Sequence, residues 1–286
     1  MKRWRAVPVR PTYAVPVTLV ATDIDGTILP RSGLVSERTK RALGSLADAG
    51  VPLVLVTARP PRWLDAVAEQ LNIEGTAVCA NGAVQYDLGT RRIIDAITIP
   101  AEPLVETVQL LRDALPGSVF AVETTRGIAL EEEFPTDARG LNPREVARIE
   151  AMESARDDSV IKLLAALEVG DHDEMLAIAE PLVGHLVEAS HSSAEVPLLE
   201  FAPAGVTKAS GLARMAAHFG VDAKDVVAFG DAPNDLPMLL WAGTSYAVAN
   251  AHPEVMAVAT HSTASVDEDG VAMVVEELLA ARGVTP

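Results

Sequence analysis

Apolar and polar residues follow two periods along this chain, and the order of those periods predicts an α/β protein. After a Pro-rich leader, residues 17–22 form a short β-prone run that stops at Asp23-Ile24-Asp25-Gly26-Thr27, where charge and glycine mark the exit from a strand. Ser36 is placed to cap a helix reaching Ala49, with Gly50 where a helix-terminating glycine belongs, and 51–56 is a continuous apolar run of the kind a fully buried strand shows. A second helix is predicted over 61–71, then a strand over 76–79 and a turn at Asn81-Gly82. From 98 to 191 the texture changes: a helix near 102–114, strands near 119–130 and 160–168, and a helix near 171–183. The acidic stretch 131–158, with Pro135, Gly140 and Pro143, reads as surface loops and a solvated helix. We read 98–191 as a second αβ unit inserted into the first. The first theme resumes with a strand over 196–201, a helix through Phe219, a strand over 226–229 and short αβ units to the end.

Composition narrows this picture. With 49% apolar residues among 286, the chain can bury a sizeable core, and two domains suit its length better than one. Aromatics are only 4%, so the core is aliphatic, which suits helices packed on a buried parallel sheet. The single cysteine, Cys79, excludes an intrachain disulfide and a cysteine zinc site; it fits a cytoplasmic setting and reads as a buried structural thiol. The start is basic, but Pro8, Pro11 and Pro16 interrupt the residues after it, so no export signal is expected. No run nears the roughly 20 apolar residues of a membrane span, so no membrane partner is expected. The formal charge of −17 opposes a nucleic-acid partner and would also repel a small anion, unless a bound cation and fixed donors reverse the potential inside one cleft.

Four segments supply such a cleft. Asp23 and Asp25 sit at a strand exit, with Gly26 permitting the turn, so that one carboxylate can serve as nucleophile while the other serves the leaving group as acid and then base. An acidic surface turn is the plain alternative for this segment alone. Thr57 ends the run 51–56 and would bring a hydroxyl and an N–H to the same sheet edge to hold a phosphoryl oxygen, although a helix cap looks the same in sequence. Arg59 could touch phosphate or form a surface ion pair. Lys208, just before a predicted helix, can reach back to Asp23 and neutralise phosphoryl charge. Asp231 and Asp235 again follow a buried strand, and Mg²⁺ favours hard oxygen ligands, so Asp23, Asp231 and the carbonyl of Asp25 are assigned to Mg²⁺. Asn234 and Asp235 then orient a metal-bound water or hold Lys208, unless they are helix-start residues. His172, His185, His191, His218, His252 and His261 have no metal-ligand spacing.

Together these segments resemble the four signature motifs of the haloacid dehalogenase-like superfamily, and the whole chain resembles its Cof-type phosphatases with a large α/β cap. Asp23-Ile24-Asp25-Gly26-Thr27 resembles the nucleophile motif, Val56-Thr57-Ala58-Arg59 the second, Gly205-Val206-Thr207-Lys208 the lysine motif, and Gly230-Asp231 through Leu239 the metal motif. Asn81-Gly82-Ala83 looks like the stretch that precedes the cap. The resemblance implies a Rossmann-like parallel-sheet core (1–97 and 192–286), an inserted cap (98–191), and Mg²⁺-dependent hydrolysis of small phosphorylated metabolites, such as sugar phosphates, through an aspartyl-phosphate. Ala58 departs from the usual glycine, and the leader is longer than the motif needs. A phosphomutase of the same superfamily and a non-catalytic phosphometabolite-binding protein remain as alternatives. The substrate and the oligomeric state stay open. Glu123, Arg126 and the run Glu131-Glu132-Glu133 could face the cleft, but the run reads rather as a solvated face.

Overall fold

A computed structural model describes residues 19–135, 144–151, 159–168, 170–191 and 197–284. The leader, Gly140, Pro143 and the start of the strand expected at 196 lie outside the described residues. In chain order, the first part comprises β1 (Leu19–Thr22), α1 (Glu37–Asp48), β2 (Leu53–Val56), α2 (Leu64–Leu71), β3 (Thr76–Cys79), β4 (Val84–Asp87) and β5 (Arg92–Ala96). Then come α3 (Ala101–Ala114), β6 (Val119–Thr124), β7 (Gly127–Glu131), β8 (Arg144–Val146), β9 (Val160–Ala166), α4 (His172–Val183), β10 (Val187–His191) and β11 (Leu198–Pro203). The chain ends with α5 (Lys208–His218), β12 (Val226–Gly230), α6 (Leu236–Trp241), β13 (Thr244–Ala247), α7 (Pro253–Val258), β14 (His261–Ser262) and α8 (Gly270–Ala281).

One sheet has eight strands in the order β14-β13-β12-β1-β2-β3-β4-β5, parallel from β14 to β3 and antiparallel at the β3–β4 and β4–β5 pairings of one edge. Successive residues of its strands go to opposite faces. Val20 and Leu55 pack with α1, α2 and α8 through Leu43, Leu46, Val67, Leu71, Val275 and Leu279. Leu19, Ala21, Val54 and Val56 pack instead with α5 and α6 through Leu212, Met215, Met238 and Leu239. Both faces are covered at the centre of the sheet, so β1, β2 and β12 need apolar residues at nearly every position, which is why they appear as apolar runs. The helix starts obey local chemistry: Ser36 accepts from the Thr39 N–H at 3.0 Å, and Thr207 and Ser210 cap α5 reciprocally.

The second sheet, β10-β11-β9-β6-β7-β8, is antiparallel but for β7–β8 and carries α3 and α4 on one face through Phe120, Val122, Leu163, Phe201, Val108, Leu111 and Met175. A separate antiparallel sheet of this kind fits an inserted cap. Three expectations need correction. The strand expected at 196–201 to resume the first sheet is Leu198–Pro203, and it pairs with β9 and β10 in the second; periodicity reports burial but carries no information about the distant partner. The strand region near 119–130 is a hairpin that turns at Thr125-Arg126, where Gly127 takes φ +142° and Thr124 Oγ1 donates to the Gly127 carbonyl at 2.8 Å. Glu131 is buried, not solvated, because it pairs with Arg112 and accepts from the backbone N–H groups of Phe120 and Ile149; its neighbours Glu132 and Glu133 are exposed.

Candidate active site

In the order β12-β1-β2 all three strands run parallel, so their carboxyl ends meet at one edge of the sheet. Asp23 follows β1, Thr57 follows β2 and Asp231 follows β12. The chain builds outward from β1 to β2 and β3 on one side and to β12 and β13 on the other, so this edge is also the point where the strand order reverses. Open α/β sheets bind ligands at such a point.

Lys208, the first residue of α5, is only 2% exposed and donates at 2.6 Å to Asp23 Oδ1 and at 2.6 Å to Asp235 Oδ1. Burial by itself would lower its pKa, but the two carboxylates outweigh that and raise it, so the ammonium stays charged. Asp235 is wholly buried, and its Oδ2 accepts from the backbone N–H groups of Asp231 and Ala232 at 3.0 Å each. Both of its oxygens are therefore committed to holding Lys208 and the Asp231 loop. Asp231 Oδ1 accepts from Thr27 Oγ1 at 2.8 Å, and the Asp231 carbonyl accepts from the His252 N–H at 2.8 Å.

The carboxylates of Asp23, Asp231 and Asp235 each bring an oxygen within 4.8 Å of the others. One ammonium faces three carboxylates, Asp23 and Asp235 buried and Asp231 half-buried, and the imbalance is visible in the acidity of Asp23 and Asp231. Burial, helped by Asp235 and Asp231 and opposed by Lys208, holds Asp23 well above the usual range; burial and Asp235 push Asp231 up to about 6. The cluster fits a hard divalent cation: its donors are oxygens, its charge calls for a counter-ion, and Asn234 Oδ1 is buried without a protein partner, as suits the acceptor of a coordinated water. Since Asp235 is committed elsewhere, Asp23 and Asp231 are the side chains that would hold the ion. No histidine belongs to such a cluster among the described residues.

Arg59 forks onto Asp25, Nε to Oδ2 at 2.7 Å and Nη2 to Oδ1 at 2.6 Å, so in this arrangement it faces Asp25. Thr57 is buried, and its Oγ1 accepts from the Arg59 N–H at 3.1 Å. Ala58 does not adopt a positive φ, so the loop has no need of the family's usual glycine there. Gly26 does have one, +82°, and a Cβ on it would fall 2.3 Å from Asp231 Oδ2. Asn234 Nδ2 donates to Asn81 Oδ1 at 3.2 Å. Glu123 is buried in a fork from Arg62, and Arg126 sits in the turn between β6 and β7. Asn81 shows a turn signal in the sequence and belongs to the stretch that resembles the one before the cap, with nothing to mark it as a site residue, and Asn250, whose Nδ2 donates to the Gly26 carbonyl at 2.8 Å, shows no signal at all.

Residues 20–275 match the family model of haloacid dehalogenase-like hydrolases, and the chain belongs to that family. Over 92% of its length it is 28% identical to 98% of the 5-amino-6-(5-phospho-D-ribitylamino)uracil phosphatase YwtE of Bacillus subtilis. It is 26% identical, over 91% of its length and 98% of the relative's, to a phosphoglycolate phosphatase of Methanothermobacter thermautotrophicus. In fold it is similar to the haloalkanoate-superfamily phosphatase BT1666 from Bacteroides thetaiotaomicron, with a TM-score of 0.78, 24% identity, and coverage of 97% of this chain and 99% of that one. The chain is a phosphate-monoester hydrolase of the Cof type within this family.

Proposed function

We propose that the enzyme is a magnesium-dependent phosphatase of small phosphorylated metabolites that works through an aspartyl-phosphate on Asp23. The observation that carries this reading is the buried Lys208 ammonium set 2.6 Å from Asp23 with Asp231 beside it, a fixed positive charge at a carboxylate that has burial and two like charges against it. A carboxylate oxygen of Asp23 attacks phosphorus as the ester P–O bond breaks, and Asp25 gives its proton to the departing alkoxide oxygen. Asp25, now a carboxylate, takes a proton from water; that water attacks phosphorus, the acyl-phosphate bond breaks, and Asp23 is restored. The Arg59 fork orients the Asp25 carboxyl from the β2 loop. Magnesium, held by Asp23 and Asp231, would supply charge neutralisation of the phosphoryl group. Lys208 does the same from the protein side, and Thr57 offers a hydroxyl to a phosphoryl oxygen.

Substrate class follows from kinship: the names of the relatives carry small phosphate esters. The sole, buried Cys79 suits the cytoplasm, and no described helix is long and apolar enough to cross a membrane. The test is phosphate release from a panel of phosphorylated metabolites with magnesium or with chelator. Native protein should release phosphate only with magnesium, and Asp23→Asn should lose about 10⁴-fold or more in kcat with its circular dichroism unchanged. Turnover retained by Asp23→Asn would remove the covalent mechanism; activity that needs a bisphosphorylated activator would mark a mutase.

A further inference from the structure

Strand β9 reads Val-Ile-Lys-Leu-Leu-Ala-Ala, and all seven residues are buried. A lysine in such a run is costly to desolvate, and an apolar side chain of similar volume would stabilise the sheet at least as well. Lys162 nonetheless leaves its sheet for the active-site edge: Nζ donates at 2.6 Å to Glu200 Oε2 on β11 and at 2.6 Å to the carbonyl of Ala58. We infer that Lys162 is a positioning residue, which sets the phosphoryl-binding loop and the metal loop from the second sheet; this rests on the phosphatase reading above.

The Ala58 carbonyl and the Arg59 N–H belong to one planar peptide group. Lys162 holds its oxygen end, and its N–H end donates to Thr57 Oγ1 at 3.1 Å. Fixing one end of the plane therefore aims the other, and with it the hydroxyl that Thr57 offers to phosphate. The neighbouring carbonyls are held by the core itself, Thr57 O by the Asn81 N–H at 3.1 Å and Arg59 O by the Ala80 N–H at 3.0 Å. Only the middle one depends on the second sheet. A second branch leaves from Glu200, whose Oε2 also accepts from Asn81 Nδ2 at 3.0 Å, and Asn81 Oδ1 accepts from Asn234, between Asp231 and Asp235 in the chain. Glu123, directly across the ladder from Lys162, adds the Arg62 fork to the same stretch of loop. Lys162 touches none of the groups assigned to the chemistry, yet its contacts end one residue from Thr57 and three from Asp231.

The experiment combines phosphate-release kinetics, thermal denaturation and amide hydrogen exchange on native protein, Lys162→Met, Asn234→Ala and the double variant, with Glu200→Gln as a milder break of the same relay should Lys162→Met not fold. We expect kcat/KM to fall about 10- to 100-fold in Lys162→Met, mostly in kcat, as for groups that orient first-contact residues. Exchange should rise over 57–63, and the two single losses in kcat/KM should overlap in the double variant because Lys162 and Asn234 share one network without touching. A lysine that served only its own sheet would instead lower the melting temperature and raise exchange over 160–166. That pattern, or losses that add to within about twofold, overturns the proposal. A native chain that releases no phosphate overturns the phosphatase reading, and exchange over 57–63 alone then decides whether Lys162 anchors the loop.

Discussion

Asp231 and Asp235 stand close together in the chain and are bound to respond to substitution in opposite ways. Asp235 has a partner for each oxygen, so it belongs to the scaffold of the site. Asp231 adds charge to a cluster that already holds more of it than Lys208 can balance. Crowding of like charge is a local cost that a catalytic site accepts and a structural one does not. Asp231→Asn should therefore keep or raise the melting temperature in chelator, while the magnesium needed for half-maximal activity rises sharply and the stabilisation that added magnesium gives the native protein disappears. A loss of stability in chelator would mean that Asp231 is a structural group, and an unchanged magnesium requirement would place the ion elsewhere.

Among the elements, α5 matters most because its first residue is Lys208 and its second turn rests on the Asn81-Gly82 corner. A Cβ on Gly211 would lie 2.6 Å from the Gly82 Cα and 2.5 Å from Val78 Cγ1, and one on Gly82 would lie 2.1 Å from the Thr207 carbonyl oxygen. Helix and corner meet backbone to backbone. Gly211→Ala must push α5 off the corner, which should cost about 1–3 kcal/mol by urea denaturation and lower kcat by displacing Lys208. Activity equal to native would show that α5 can shift without moving the ammonium. The elements also mark where the sequence is legible. Strands β1, β2 and β12 announce themselves because an apolar run followed by Asp or Thr is a local pattern, and the capping of α1 by Ser36 is equally local. The edge hairpin β4–β5 escapes such a reading because β5 is largely exposed and lacks alternation, and the sheet that β11 joins depends on partners chosen by the whole fold. Lys162 leaves a faint trace in the sequence: a single charge inside the otherwise apolar run of β9, which acquires meaning only once Ala58 and Glu200 are seen beside it.

At the scale of the molecule, the first and last helices close the structure together. Arg38 on α1 forks onto Glu276 on α8, with Nε–Oε1 at 2.8 Å and Nη2–Oε2 at 2.5 Å. The hydrogen bonds from Arg38 hold the Glu276 carboxyl below its ordinary value, so their stabilisation is complete above the usual glutamate range and is lost as pH falls through the lowered value. Both side chains are partly exposed, which limits the pair to about 0–1 kcal/mol. Urea midpoints of native protein and Glu276→Gln should differ slightly at pH 7 and converge in acid; a gap that persists after the carboxylate is protonated would assign the effect to packing.

The active site also has a history within each molecule. Asp23 is bonded to Lys208 across 185 residues, and Thr27 to Asp231 across 204. Synthesis proceeds from the amino end, so Asp23 emerges from the ribosome long before Lys208 and the Asp231 loop that it meets in the folded chain. Until then β1 has β2 but lacks β12, its partner on the other side. A growing or prematurely terminated chain thus carries Asp23 without the partners it has in the folded molecule, and the cluster is assembled only in a polypeptide that has been translated past both sheets.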